Sequence, residues 1–147
     1  MEILQIFNNN VVLSKNEAGK EIVCMGKGLA IEPTEGKLYA PADGKILTVF
    51  PTGHAIGMIT NDGTEILMHI GMNTVELDGE GFKILVQPEQ IVKQGDLLVE
   101  FDIESITKKG YSVVTPIIVT NTNEFLDVLD FNQDEVITNE DCLMIIK

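Results

Sequence analysis

Short aliphatic runs, each closed by a turn marker, leave this chain little room for helix. Runs such as "EILQIF", "EIVCM", "KILTVF", "HAIGMIT", "EILMHI", "FKILV", "DLLVEFDI" and "SVVTPIIVT" follow one another at close spacing. Between them fall Asp43-Gly44, Asn61-Asp62-Gly63, Asp78-Gly79 and Gln94-Gly95. Many short strands with turn residues between them predict an all-β fold, an antiparallel β-sandwich or barrel-sandwich hybrid with very little helix. Pro116 interrupts a strand-like run and predicts an edge strand or a kink there. One or two turns of helix are expected at Glu104–Lys109, and another near Asn123–Leu129 with Thr122 or Asn123 as cap.

The 147 residues suffice for one core, and 44% of them are apolar. No run approaches the ~20 apolar residues of a membrane span. The opening "MEILQIFNNN" has no basic segment before an apolar one, so no signal peptide is expected and a cytoplasmic location is. Cys24 and Cys142 have no paired spacing and read as reduced thiols, with pairing between them left open. The net charge is −13, and every basic residue is a lysine. Without arginine forks or a basic stripe, broad phosphate-backbone binding is not expected. An acidic body fits a basic protein partner, or solubility alone.

Both histidines of the chain fall in "FPTGHAIGMITNDGTEILMHIG". This segment predicts a β-hairpin turning at Asn61-Asp62 with Gly63 as a bulge. Setting Thr60 opposite Gly63, and counting back along both strands, puts His54 opposite His69. Alternation then gives the histidine face Phe50, Thr52, Ile56, Met58, Leu67 and Gly71. The other face receives Val49, Ala55, Ile59, Ile66, Met68 and Ile70 and becomes the interior. Two facing imidazoles in an apolar patch fit three kinds of role. They can be structural core residues with satisfied hydrogen bonds. They can hold zinc, although no nearby Cys or Asp completes a ligand set, so the metal would have to be shared with a partner's carboxylate. They can handle a phosphoryl group, one imidazole as nucleophile and the other as hydrogen-bond donor, with apolar walls keeping water out.

Beyond these residues, "AIEPTEGKLYAPADGKI", "VFPTGHAIGM", "DGTEILMHIGMNTVELDGEGF", "VKQGDLLVEFDI" and "TPIIVTNTNEF" resemble the glucose-type enzyme IIA proteins of the bacterial phosphoenolpyruvate-dependent sugar phosphotransferase system. The resemblance implies an antiparallel β-sandwich over residues 31–147. It implies that His69 accepts a phosphoryl group on Nε2 and that His54 and Thr52 support it. It implies HPr as donor and the IIB domain of a sugar permease as acceptor. No cofactor is implied, since the phosphoryl group is carried covalently; the zinc reading at His54 and His69 stays intermolecular. Partner docking is expected at Phe50, Ile56, Met58, Gly71, Asn73 and Lys27. Lys27, Asn73 and Asn123 stand where the family usually has aspartate, which weakens the expected attraction to HPr. A regulatory or interaction module derived from the same fold is the alternative.

Residues 1–30 depart from that pattern. "IFNNNVVLSKNEAGKEIVCMGKGLA" resembles the N-terminal RNA-binding domain of antiterminators that respond to the same system. The segment predicts three short strands in two hairpins, the first turning at Asn8, Asn9 and Asn10. The resemblance makes Asn10 and Lys27 RNA contacts. Glu2, Glu17 and Glu21 against Lys15, Lys20 and Lys27 leave the segment without net charge. That balance favours an edge or dimerisation strip integrated with the body over an RNA site.

Overall fold

The computed structural model describes residues 2–7, 11–15, 21–25, 27–130 and 143–146, with side chains described at 28, 30–128 and 145. The Asn10 contact and the pairing of Cys24 with Cys142 therefore lie outside the described residues, as does the side chain of Lys27.

Three strands open the chain: β1 (Glu2–Phe7), β2 (Val11–Lys15) and β3 (Glu21–Met25). They pair antiparallel in the order β1-β2-β3, as a sheet of their own. The next strand, β4 (Lys27–Ile31), does not join them. It runs along β12 and forms one edge of the large sheet, with Lys27 paired to Val119.

The body consists of β5 (Lys37–Tyr39), β6 (Gly44–Val49), β7 (Ala55–Thr60), β8 (Glu65–His69), β9 (Phe82–Ile84), β10 (Ile91–Val92), β11 (Leu97–Phe101) and β12 (Thr115–Val119). A six-stranded sheet has the order β10-β6-β7-β8-β12-β4, and a three-stranded sheet the order β5-β11-β9. The described strand pairs are antiparallel. The remaining strands, β13 (Asp127–Asp130) and β14 (Leu143–Ile146), pair with each other. Most of the described chain is strand, as the alternating runs predict.

The core lies between the two sheets of the body. Ile46, Ile56, Met58 and Met68 of the large sheet, and Ile70 just after β8, are sealed from solvent, as are Leu98 and Val99 of β11. Each such side chain contributes roughly 1.5–3 kcal/mol by leaving water. Among the described residues helix is confined to α1 (Ile103–Lys108) and two short 3₁₀ turns, Thr74–Leu77 and Thr122–Glu124. Asp102 caps α1 by accepting the Ser105 N–H at 3.0 Å, and Ile106 is the residue α1 buries. Among the described residues no helix is long and apolar enough to cross a membrane.

Two expectations are corrected here. Pro116 is neither on an edge strand nor in a kink: β12 is flanked by β8 and β4. Its missing N–H is tolerated because the β8 ladder begins only at Ile117. The helix expected over Asn123–Leu129 shrinks to the Thr122–Glu124 turn, which Asn121 precedes without a side-chain cap, and Asp127–Asp130 is strand.

Candidate active site

The β7–β8 hairpin closes one residue later than the turn sequence suggests. Thr60 N–H donates to Thr64 C=O at 2.9 Å, and Gly63 N–H donates to Thr60 C=O at 3.0 Å. Gly63 has φ +91°, so it stands outside the ladder as the bulge residue of a three-residue loop. Thr60 therefore faces Thr64, not Gly63. Asp62 Oδ1 accepts from the hydroxyls of Thr60 and Thr64 and stiffens this tip.

A one-residue register change turns one strand over relative to its partner, and here it is β7 that changes face. The observed pairs are Ala55 with His69, Ile56 with Met68 and Met58 with Ile66. Ile56 and Met58, expected at the docking rim, are instead fully buried in the core. The outer face of the sheet carries Ile59, Leu67 and Ile118, all half-buried, together with Gly57. Leu47 joins the surface beside them, at an irregularity in the β6–β7 register. A correct count of the loop would have found this face in the sequence. Ile56→Ala is thus expected to lower stability by about 2–5 kcal/mol. Phe50→Ala, which loses an edge-on ring contact at a part-exposed site, should cost less, about 0.5–1.5 kcal/mol. Urea denaturation of both variants measures the contrast, and equal small effects would return Ile56 to the surface.

The two imidazoles meet in spite of the shifted register. His54 lies just before β7, and its carbonyl accepts the Ile70 N–H at 2.7 Å. Strand alternation ends there, and His54, Ala55 and Ile56 are all buried in succession. The His54 and His69 rings sit edge to face, with centroids 4.9 Å apart and planes at 74°. Phe50 is 38% exposed and packs its ring edge-on to His54 at 5.4 Å. The tight turn linking β6 to β7 brings it there: Gly53 N–H donates to Phe50 C=O at 2.8 Å, and Phe50 N–H to Ala55 C=O at 3.1 Å.

Each ring is held through Nδ1. His69 Nδ1 donates to the Gly71 carbonyl at 2.6 Å, and His54 Nδ1 lies 2.5 Å from Thr52 Oγ1. A carbonyl only accepts, so the neutral His69 ring carries its proton on Nδ1 and a lone pair on Nε2. His69 is half-buried and His54 only 5% exposed.

Gly71 is not a docking residue either. It is buried, with φ +71°, and a Cβ there would run into the Ser112 carbonyl and the Thr74 methyl. Its carbonyl is what serves the site, and the residue sequence alone did not reveal that. Asn73 has φ +56° and precedes the Thr74–Leu77 turn, half-buried. Asn123 lies in the Thr122–Glu124 turn, beside Asn121, whose Nδ2 donates to Gly63 C=O. That is the end of β8 away from His69.

Burial lowers both histidine pKa values below the usual 6.5. For His54 the next cause is the neighbouring charge His69 would bear; for His69 the Gly71 carbonyl partly opposes the shift. Both rings are therefore neutral near pH 7. The unfolded chain binds protons at about 6.5, where the folded chain resists them. The stability contributed by the neutral pair is complete above about pH 6.5 and is lost as the pH falls towards the lowered folded values. Denaturation midpoints are expected to fall between about pH 7 and pH 5. The double variant His54→Gln/His69→Gln should lose that part of the slope; an unchanged slope would refute it. Among the described residues no group of three or more His, Cys, Asp or Glu could hold a metal ion.

Two neutral imidazoles, one with a defined lone pair, at the end of the β7–β8 hairpin have the chemistry that a nucleophilic site would need. Comparison with known proteins points the same way. Residues 18–125 match the family described as "phosphoenolpyruvate-dependent sugar phosphotransferase system, EIIA 1". The PTS system glucosamine-specific EIICBA component of Bacillus subtilis (strain 168) is 55% identical over 100 residues, which are 68% of this chain and 16% of that protein. The chain thus spans only a small part of that relative's length. The solved glucose permease IIA from Mycoplasma capricolum superposes with a TM-score of 0.61 at 49% identity, over 63% of this chain and 60% of that one. With a family match across most of its length, the chain belongs to the EIIA 1 family of the phosphoenolpyruvate-dependent sugar phosphotransferase system.

Proposed function

We propose that this protein is a phosphocarrier of sugar uptake, taking a phosphoryl group from HPr onto His69 and passing it to the IIB domain of a sugar permease in the cytoplasm. One observation supports this above all. The Gly71 carbonyl fixes the His69 proton on Nδ1, which leaves Nε2 as a nucleophile beside a second imidazole.

The lone pair of Nε2 attacks the phosphorus of the donor's phosphohistidine. The new N–P bond forms in line as the old one breaks, and the released electron pair returns to the donor's imidazole. His69 keeps its Nδ1 proton, so the phosphorylated ring gains positive charge, which the Gly71 carbonyl stabilises. Thr52 Oγ1 lies against His54 Nδ1; with the hydroxyl as donor the His54 proton sits on Nε2, where it would meet the phosphoryl oxygens. Phe50, Leu47, Ile59, Leu67 and Ile118 form the apolar surface that excludes water from the docked pair. The second transfer is the reverse step with a different partner. The B component in the name of the Bacillus subtilis relative supports an acceptor of that type. No cofactor enters this scheme. The chemistry belongs to the body from residue 31 onward, with residues 1–30 attached to it through β4.

Incubation with phosphoenolpyruvate, enzyme I and HPr tests the reading. It requires acid-labile, base-stable phosphate on His69. Full exposure to this mixture without any phosphate on the protein would overturn it.

A further inference from the structure

Gly71 poses a problem that its neighbours solve. A glycine has the widest choice of φ and ψ, so nothing intrinsic to the residue aims its carbonyl at His69. The preceding peptide, from the Ile70 carbonyl to the Gly71 N–H, must be held from outside. One end of Ile70 is held by its N–H bond to the His54 carbonyl at 2.7 Å. The other is held by Thr74, whose Oγ1 donates to the Ile70 carbonyl at 2.5 Å. Thr74 has no solvent exposure. The same side chain also closes on Gly71 itself. A Cβ built there would lie 2.6 Å from Thr74 Cγ2 and closer still to the Ser112 carbonyl oxygen.

The geometry points to Thr74 as a positioning residue for the site: its hydroxyl fixes the Ile70–Gly71 peptide, which keeps the Gly71 carbonyl on His69 Nδ1 and so keeps Nε2 unprotonated. Thr74 acts through the Ile70 carbonyl and Gly71, the groups its hydroxyl and methyl meet. Its hydroxyl and methyl have separate duties, the first orienting the peptide and the second confining the glycine. The functional consequence rests on the phosphocarrier reading; the structural one does not.

Thr74→Val keeps the shape and removes the hydroxyl, and Thr74→Ser does the reverse. The His69 ring is read by ¹H–¹⁵N correlation in the unphosphorylated protein. Wild type and Thr74→Ser should show a single Nδ1–H tautomer. Thr74→Val should show averaged ring nitrogens, as both tautomers become populated. In the phosphoryl-transfer assay Thr74→Val should be slower by about 10- to 100-fold, as expected for a small misplacement of a reacting group. Thr74→Ser should stay within about threefold of wild type. A purely structural role would lower the melting temperature and leave the ring nitrogens unmoved. A wild-type tautomer in Thr74→Val therefore overturns the proposal. If Thr74→Val does not fold, Thr74→Ser decides alone, because a mixed tautomer with the hydroxyl present overturns it equally. If the wild type accepts no phosphate, the phosphocarrier reading fails while the ring spectra still judge Thr74.

Discussion

On the phosphocarrier reading, exchanging His69 for glutamine is expected to abolish phosphate incorporation, a loss of at least about 10³-fold. The amide nitrogen of glutamine has no lone pair free for attack on phosphorus, so no partial activity survives through the side chain. The fold should persist. His69 is half-buried at the end of β8, and its bond to the Gly71 carbonyl contributes only about 1 kcal/mol net. A thermal melt beside the phosphorylation assay separates a dead site from an unfolded chain. Phosphate retained by His69→Gln and lost in His54→Gln would reverse the roles given to the two rings.

Gly71→Ala is expected to be among the most damaging single-methyl changes in the protein. Alanine in the left-handed region at φ +71° costs about 1–2 kcal/mol. The new methyl also collides with the Ser112 carbonyl and the Thr74 side chain, adding about 1–3 kcal/mol of overpacking. The combined loss, roughly 2–5 kcal/mol, shows as a lower urea midpoint at unchanged slope. Gly63→Ala is the control. Its φ is +91°, but nothing lies within 4 Å of the added Cβ, so only the backbone cost applies. Similar losses at the two glycines would mean that the wedge at Gly71 is not tight. Phosphoryl acceptance should fall further in Gly71→Ala than its loss of stability accounts for, because the carbonyl that orders His69 moves with the turn.

The architecture was legible because strand alternation and turn chemistry agree along most of the body. Asn61-Asp62-Gly63 announced the hairpin, and the motifs around His54 and His69 announced the pair. What failed was the count around one glycine. Recognising Gly63 as a bulge but still pairing it with Thr60 shifted the register, and Ile56 and Met58 went to the wrong face. The histidines survived that error because they sit where alternation stops, and a bend rather than the ladder sets the final position of His54. Gly71 and Thr74 were not legible as supports for His69. Their work is done by a carbonyl and by a buried hydroxyl bonded to the backbone, and neither leaves a pattern in the order of side chains. Ser112, which closes the wedge, lies 41 positions beyond Gly71, out of reach of any local reading.

The order β10-β6-β7-β8-β12-β4 puts the two strands of the site in the middle of the sheet, each with a neighbour on both sides. Such strands open only when the whole sheet does. A carrier must meet one protein, release it and meet another within each cycle. On the proposed function, each partner would meet strands already paired on both sides, so little ordering entropy would be spent on the sheet at either encounter. Short-lived complexes would then suffice for transfer, and the carrier would not be trapped by the partner it has just served.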